Sequence, residues 1–469
     1  MLHFYNSLTH RVDEFQPIQP GKVGMYTCGP TVYNYAHIGN FRCYAFEDIL
    51  KRTLLASGLQ VKHVMNLTDV DDKTIRGSQA EKLPLQQFTR KYKDAFFADI
   101  KTLRILPADV YPAATETIPE MIALIQTLFD KGIAYQAEDK SVYFSIAKWP
   151  KYGQLVNIDR DSMRVGVRIK MDEYAKDSMA DFALWKAWDE ADGDVGWDSP
   201  WGRGRPGWHI ECSAMSSKYL GKTFDLHCGG IDNMFPHHED EIAQSEAANG
   251  CKFVNTWMHC AHLVVDGQKM SKSLGNFYTL KDVLAKGYTG REIRYVLIGT
   301  YYRQSLNFSF QALDEARGNL QRIDAFTARL KDLAVGPDDS AAPEVVALAN
   351  DASAKFLAAL QEDLNVSAGL GVLFDFIRDG NRAMDAAKVN AGAAKAMLKA
   401  LADIDQILGV VEPDKADSEV PAEVVALAEQ RAAARKAKDW ALADQLRDQI
   451  AALGWEVKDT PKGPQFVKK

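Results

Sequence analysis

The residues best able to do chemistry fall in four stretches. In "FPHHEDE" (235–241), His237 and Glu241 are four apart and so share one face of a helix. Pro236 suits a first helical position and Gly250 a stop, which predicts a helix from Pro236 to Gly250. The pair reads either as a surface ion pair or as half of a metal site. Cys28 and Cys212, the latter in "GWHIECSAM", would complete a two-thiol, one-imidazole, one-carboxylate set of the kind zinc accepts. A third stretch, "CGPTVYNYAHIGN" (28–40), follows a strand and opens a helix. His37, Gly39 and Asn40 then sit at a helix N-terminus, where free N–H groups and the dipole favour phosphate. The plainer reading is a helix start that happens to carry a histidine. The fourth stretch, "KMSKS" (269–273), puts Lys269 and Lys272 on a small-residue loop able to close over a polyphosphate, or simply to form a solvated basic turn.

"HIGN" followed by "KMSKS" more than two hundred residues later resembles the paired signature of the class I aminoacyl-tRNA synthetases. The fourth position of the first motif is often histidine; here Asn40 still offers hydrogen bonds. In order, "TVYNYAHIGN", "GRPGWHIECSAM", "GGIDNMFPHHEDE" and "GQKMSKSLGN" narrow the resemblance to the cysteinyl-tRNA synthetases. It runs through the C-terminal "RKAKDWALADQLRDQI" and so spans essentially the whole chain.

That resemblance implies one zinc per chain on Cys28, Cys212, His237 and Glu241, with His238 as the alternative nitrogen. It implies an amino-acid pocket of Gly29, Thr68, Trp208, His227 and Asp232. It also implies ATP held by His37, Gly39, Asn40 and Lys272, with Mg²⁺ accompanying the nucleotide, and catalysis by His37, Asn40, Lys269 and Lys272. The expected partners are L-cysteine, ATP and tRNA(Cys), with no membrane, and a monomer is expected. Trp208 also has a bland reading as core and Asp232 as a cap of the following helix. Cys43, Cys228, Cys251 and Cys260 are expected to be structural, and His209, His259 and His262 to pack around the site. Two rival activities use the same motifs. A ligase joining activated cysteine to an amino sugar would not need residues 422–469. A silent nucleotide-binding homologue would not need His37, Lys269 and Lys272 intact.

These groups need a scaffold. "KVGMYTC" (22–28) and "VKHVMNLTD" (61–69) read as strands around a helix at 40–58, a parallel βαβ unit with its ligand crevice beyond the strand C-termini. "FDLHCGGID" (224–232) resumes the strand pattern, and "HLVVDGQKM" (262–270) reads as a hairpin about Asp266-Gly267. A helix is predicted over 119–132, and the Trp-, Gly- and Asp-rich stretch 133–205 reads as irregular. Segment 310–410 is Ala/Leu-rich and helical with a loop at 336–343, and 411–421 reads as a linker. The tail reads as two helices, Asp439 capping the second, then a hairpin near "KDTPKGP".

The expected fold class is therefore α/β. A Rossmann-type parallel-sheet catalytic domain (1–118 and 206–265) carries a connective insertion (119–205). A KMSKS and stem-contact region (266–309), a helical bundle (310–411) and a small α+β anticodon-binding module (420–469) follow. At 469 residues, 46% hydrophobic and 25% charged, the chain has the composition of a globular protein, and a net charge of −7 excludes a generally basic nucleic-acid binder. The tail is the exception: from Pro421 onward nine Lys/Arg against seven Asp/Glu give +2. There Arg431, Arg435, Lys436 and Lys438 lie near Trp440 and Trp455, two indoles available for stacking on bases. Six scattered cysteines, no membrane-length apolar run and no signal-peptide core point to the cytoplasm.

Overall fold

The structure, a computed structural model, describes residues 1–156, 181–336, 341–412, 421–460 and 463–468. It divides into two compact units, 1–411 and 412–469.

The first unit is organised by a four-stranded parallel sheet: Lys22–Thr27 (β1), Gln60–Met65 (β2), Phe224–Gly230 (β3) and Val254–Cys260 (β4), in the order β4-β3-β1-β2. The Ile38–Ala56 helix joins β1 to β2, as the βαβ reading requires. One half of the sheet grows outward from β1 and the other from β3. The order reverses between those two strands, and a crevice opens at their C-terminal ends. The predicted strands overran. β2 ends at Met65, because Leu67 and Thr68 donate their N–H groups to Pro112 and Pro30 and leave the ladder.

The insertion departs from the irregular reading. Its described part contains an antiparallel sheet of Ala134–Gln136, Val142–Phe144, Phe182–Ala187 and Gly204–Pro206. Three of these strands have only three residues, too short to show an alternation in sequence. Their apolar residues Val142, Phe144, Leu184 and Trp185 join a core shared with Ile210, Ala243 and Ala247.

The helix expected from Pro236 begins later. Phe235 is extended (φ −140°, ψ 133°), Met234–His238 form an irregular wide turn, and the regular helix is Glu239–Asn249. Gly250 ends it in the left-handed region (φ 69°). The wide turn sits where His237 and His238 are both buried, between Trp208 on one side and Trp257 on the other. The 262–270 hairpin forms as read: Leu263–Val265 pairs with Gln268–Lys269 about Asp266 and Gly267, both at positive φ.

The helices Phe310–Leu333, Pro343–Gln361, Val366–Asp385 and Ala391–Leu408 share a continuous core with the Ile38–Ala56 helix. The loop read at 336–343 lies partly, and the linker read at 411–421 mostly, outside the described residues. The last carbonyls of Ala391–Leu408 and of the residues just after it are taken by arginines. Arg294 Nε bonds Leu408 O (2.6 Å), Arg52 Nη1 bonds Gln406 O (2.9 Å) and Arg291 Nε bonds Val410 O (2.7 Å). Arg294 and Arg52 both also reach Asp48, on the Ile38–Ala56 helix, at 2.6 and 2.8 Å. Among the described residues no helix is long and apolar enough to cross a membrane.

The second unit has helices Ala422–Lys436 and Trp440–Ala452 and a hairpin of Trp455–Thr460 with Gly463–Lys468. Asp439 caps the second helix through Leu442 N–H (3.1 Å). The two tryptophans do not share a role. Trp440 is 59% exposed, but Trp455 is 6% exposed and packs with Val424, Ala428 and Ile450, so it is not available for stacking.

Arg294→Met should leave Asp48 buried with one arginine instead of two. A loss of about 3–5 kcal/mol is expected from breaking a buried pair, read as a lowered urea midpoint for the first unit. A midpoint unchanged within error would contradict this account of the network.

Candidate active site

Cys28 follows the last residue of β1, and its neighbour Gly29 leaves the sheet where there is no room for a side chain. A Cβ on Gly29 would lie 1.8 Å from the Asn66 carbonyl oxygen. The Gly29 N–H is instead taken by Asn66 Oδ1 at 2.9 Å. Nine residues on, His37 is the N-cap of Ile38–Ala56, two residues earlier than the predicted start. Its Nδ1 accepts the Asn40 N–H (3.2 Å), while Asn40 Oδ1 accepts the His37 N–H (3.1 Å). Nδ1 being an acceptor, the imidazole proton sits on Nε2. Burial lowers the His37 pKa, against a smaller opposite pull from Asp232, so the ring acts as a neutral donor.

The lysine loop docks on this turn. Tyr278 O accepts the Ile38 N–H (3.0 Å), the His37 and Phe277 rings meet edge to face at 5.2 Å, and a Cβ on Gly39 would lie 3.1 Å from Met270 Cε. The two distant motifs thus share one cleft of about 710 Å³. His37, Gly39, Asn40 and the exposed Lys269 line it on one side, and Gly29, Thr68, Trp208 and Asp232 also line it. Lys272 opens the Lys272–Leu274 turn; its side chain lies outside what is described.

Cys28 and His237 line the cleft as well, and behind them lie Cys212 and Glu241. The ligand atoms of these four residues fall within 4.8 Å of one another, and all four are buried. A second set, Cys28, His227, His238 and Glu241, meets the same limit. His227 departs from its expected place. It is 0% exposed, off the cleft wall, and its Nε2 lies 2.9 Å from Glu241 Oε2, where it orients the carboxylate rather than meeting a ligand. His238 has both ring nitrogens engaged, with Cys28 Sγ at 3.3 Å and His259 Nε2 at 2.8 Å. His237 Nδ1 meets His209 Nδ1 at 2.8 Å, and Asp240 stands 3.2 Å behind His209. His237 Nε2 faces Glu241 Oε1 at 3.1 Å, yet that oxygen has no hydrogen bond among the described residues.

The donor set fits a metal. Its hydrogen bond with Cys212 and then burial push the Cys28 thiol well up, and burial pushes the Glu241 carboxyl up. Without a cation Cys28 and Glu241 therefore prefer their neutral forms, and a dication would reverse that preference. Two sulfurs, an imidazole nitrogen and a carboxylate oxygen suit zinc.

Residues 14–318 match the family model of the tRNA synthetases class I (C) catalytic domain, 355–412 the DALR domain, and 417–467 the cysteinyl-tRNA ligase anticodon binding domain. The cysteine–tRNA ligase of Protochlamydia amoebophila is 49% identical over 100% of this chain and 98% of its own. Those of Chlamydia muridarum (49%; 100% and 99% covered) and Brachyspira hyodysenteriae (48%; 99% and 99%) are similarly related. The chain belongs to the cysteinyl-tRNA synthetase family. It is a class I synthetase that charges tRNA with cysteine. Two solved structures share its fold. Mycobacterium tuberculosis methionyl-tRNA synthetase with methionyl-adenylate has a TM-score of 0.61 at 15% identity, covering 83% of this chain and 92% of that one. The Agrobacterium radiobacter K84 agnB2 leucyl enzyme in a ternary complex with tRNA has 0.61 at 12%, covering 85% of each.

For this synthetase, motif spacing pointed to neither Asn66 nor Glu211, both buried against Thr68. The available signal was a glutamate inside "WHIECSAM", where an acid has no business in a buried turn without a partner. The insertion's contribution was also unread. Tyr152 OH bonds Asp240 (2.6 Å), and the Gly153, Gln154 and Leu155 N–H groups bond Glu239 (2.7, 3.2 and 2.8 Å). Among the other cysteines, Cys228 and Cys260 are buried, Cys43 is half-buried against Glu47 and Cys251 is exposed; none is paired. His209 and His259 support the two adjacent histidines, and His262 lines the cleft.

Gly29→Ala should drive the Asn66 carbonyl away from β1. A loss of about 1–3 kcal/mol is expected from overpacking, with reduced metal content, measured by thermal unfolding and elemental analysis. A variant with both unchanged would contradict the close approach.

Proposed function

We propose that one zinc ion per chain is held by Cys28, Cys212, His237 and Glu241, and that it selects the substrate side chain. The observation carrying this reading is that a buried four-ligand set reaches, through Cys28 and His237, the cleft lined by His37, Asn40 and Lys269. The overlapping set is the weaker one, because it offers one thiol instead of two and only Cys28 among its members lines the cleft. When bound, zinc supplies a soft Lewis acid that favours a thiolate over serine's hydroxyl. Gly29, Thr68, Trp208 and Asp232 hold the rest of the cysteine, and His227 holds Glu241.

ATP, with Mg²⁺, lies across His37, Gly39, Asn40, Lys269 and Lys272. The cysteine carboxylate attacks the α-phosphate and pyrophosphate leaves. The His37 Nε2–H, the Asn40 amide and the two lysines meet charge as it develops, so these residues act by position and electrostatics. The aminoacyl group then passes to the terminal adenosine of tRNA(Cys). Residues 420–469 read the anticodon, with exposed Trp440 beside the basic helix end. The protein works in the cytoplasm, where unpaired cysteines stay reduced.

Elemental analysis should find about one zinc per chain, lost in Cys212→Ser. Zinc retained in Cys212→Ser but lost in His238→Ala would move the site to the overlapping set.

Deleting residues 420–469 should spare cysteine-dependent ATP–pyrophosphate exchange, since the first unit has its own core and both motifs. Transfer to tRNA should fall by about 10²-fold or more, the scale of losing a few kcal/mol of tRNA binding. Unchanged charging by the truncated chain would overturn the anticodon role.

A further inference from the structure

Four groups beside the cleft, three of them buried side chains, form a hydrogen-bond chain whose first two links are fixed in direction from one end. The Gly29 backbone N–H can only donate, and its partner at 2.9 Å is the Asn66 side chain. That sets the Asn66 amide with Oδ1 toward Gly29 and its NH₂ on the other side. The NH₂ can only donate, and it meets Thr68 Oγ1 at 3.2 Å. Thr68 therefore spends one lone pair on Asn66. Thr68 Oγ1 lies 3.0 Å from Glu211 Oε2, an acceptor for its proton so long as that oxygen is unprotonated. One lone pair is left, and Thr68 lines the cleft. Asn66, Thr68 and Glu211 are 2%, 2% and 1% exposed, so water does not scramble the order.

We propose that Asn66 and Glu211 are positioning residues that lock the Thr68 hydroxyl as a hydrogen-bond acceptor, so that this wall of the pocket takes the substrate's α-ammonium. The inference rests on the reading of Thr68 as a pocket residue and deepens it. A hydroxyl free to rotate would serve an ammonium or a carboxylate equally well. One whose proton is held by Glu211 repels neither thiol nor carboxylate elsewhere in the pocket but selects a donor at this point. Asp232 lines the same cleft and adds negative charge favourable to an ammonium. Asn66 does double duty, because the same amide that orders Thr68 also holds the Gly29 turn next to Cys28.

The experiment compares L-cysteine with 3-mercaptopropionate, which keeps the thiol and carboxylate and lacks the ammonium. The KM for cysteine and the Ki of 3-mercaptopropionate are measured in ATP–pyrophosphate exchange for the wild type, Glu211→Met, Glu211→Gln, Thr68→Val and the Glu211→Met/Thr68→Val pair. Zinc content is measured alongside. Glu211→Met frees the Thr68 proton and should raise the cysteine KM about 10-fold or more, the scale of one hydrogen bond to a charged group. The Ki of 3-mercaptopropionate should stay within about 3-fold, a difference a general structural defect would not produce. Glu211→Gln still offers an acceptor and should recover most of the loss. Thr68→Val should mimic Glu211→Met, and the pair should be no worse than Thr68→Val alone. Equal weakening of both ligands in Glu211→Met, or lost zinc, would overturn the proposal, as would fully additive losses in the pair. If Glu211→Met does not fold, Thr68→Val decides: weakening cysteine alone supports the acceptor role, and weakening both ligands equally overturns it. A Thr68→Val enzyme with unchanged cysteine KM would instead remove Thr68 from the pocket, a failure of the underlying reading.

Discussion

Two thiols, an imidazole and a carboxylate are packed together out of water at the point where the order of a parallel sheet reverses. Bringing such groups together without a cation is unfavourable, and Cys28, His237 and Glu241 are pushed toward their neutral forms. Much of the surrounding architecture holds the cluster in place despite that cost. Cys28 comes from the end of β1, Cys212 from the Trp208–Leu220 helix, and His237 and Glu241 from the turn and helix after β3. The insertion reaches back through Tyr152 to Asp240 and through three backbone N–H groups to Glu239, gripping the first turn of the helix that carries Glu241. A chain from Ser7 through His259 to His238 fixes the other histidine. On the proposed assignment these contacts are the outer support that gives metal ligands their orientation.

The side of the cleft proposed for the nucleotide is built by a different device. His37 and Asn40 exchange hydrogen bonds at the start of a helix, which fixes both the ring's tautomer and the amide's direction. The lower part of that helix is anchored through Asp48 to Arg52 and Arg294, and these arginines also hold the carbonyl end of the bundle's last helix. The Ile38–Ala56 helix and the bundle therefore share one buried ionic joint. Because removing Arg294 would leave the buried Asp48 charge with Arg52 alone, the joint resists gradual deformation and favours a single arrangement of the helix that presents His37.

What the sequence showed clearly was whatever depended on spacing along the chain. The βαβ unit, the Asp266-Gly267 hairpin and the Asp439 cap have local signatures, and they stand where those signatures put them. Groups that meet across the fold were harder. His227 reads as a pocket residue from the resemblance alone, but its ring lies buried against Glu241. Trp455 looks available for stacking until the hairpin folds its indole under Val424. The Pro236 start failed because tertiary packing, not the proline, decides where His237 and His238 lie. The insertion's sheet escaped notice because three-residue strands carry no period to read. Asn66 and Glu211 left no motif at all: their meaning is in the direction of hydrogen bonds, which composition does not encode.

Recognition of cysteine has two separable problems, and the structure places different chemistry beside each. Serine matches cysteine in shape, and an apolar pocket separates such close isosteres by only about 10- to 200-fold. A soft ion on Cys28, Cys212, His237 and Glu241 would make that distinction by ligand chemistry. It would not tell cysteine from other small thiols, which bind zinc as readily. That second distinction needs the pocket to read the amino acid's backbone, and a fixed acceptor does so at little extra strain. On the proposed reading Thr68, held from behind by Asn66 and Glu211, offers the cleft a lone pair. Asn66 also bonds Gly29, the residue after Cys28, so a single amide ties Thr68 to the turn that carries Cys28. A ligand satisfying only one of them would be held at one end, with its carboxylate free to miss the line of attack on the α-phosphate. Selectivity and reactivity are in that sense the same geometric condition, set where the ends of β1 and β2 come too close for a side chain on Gly29.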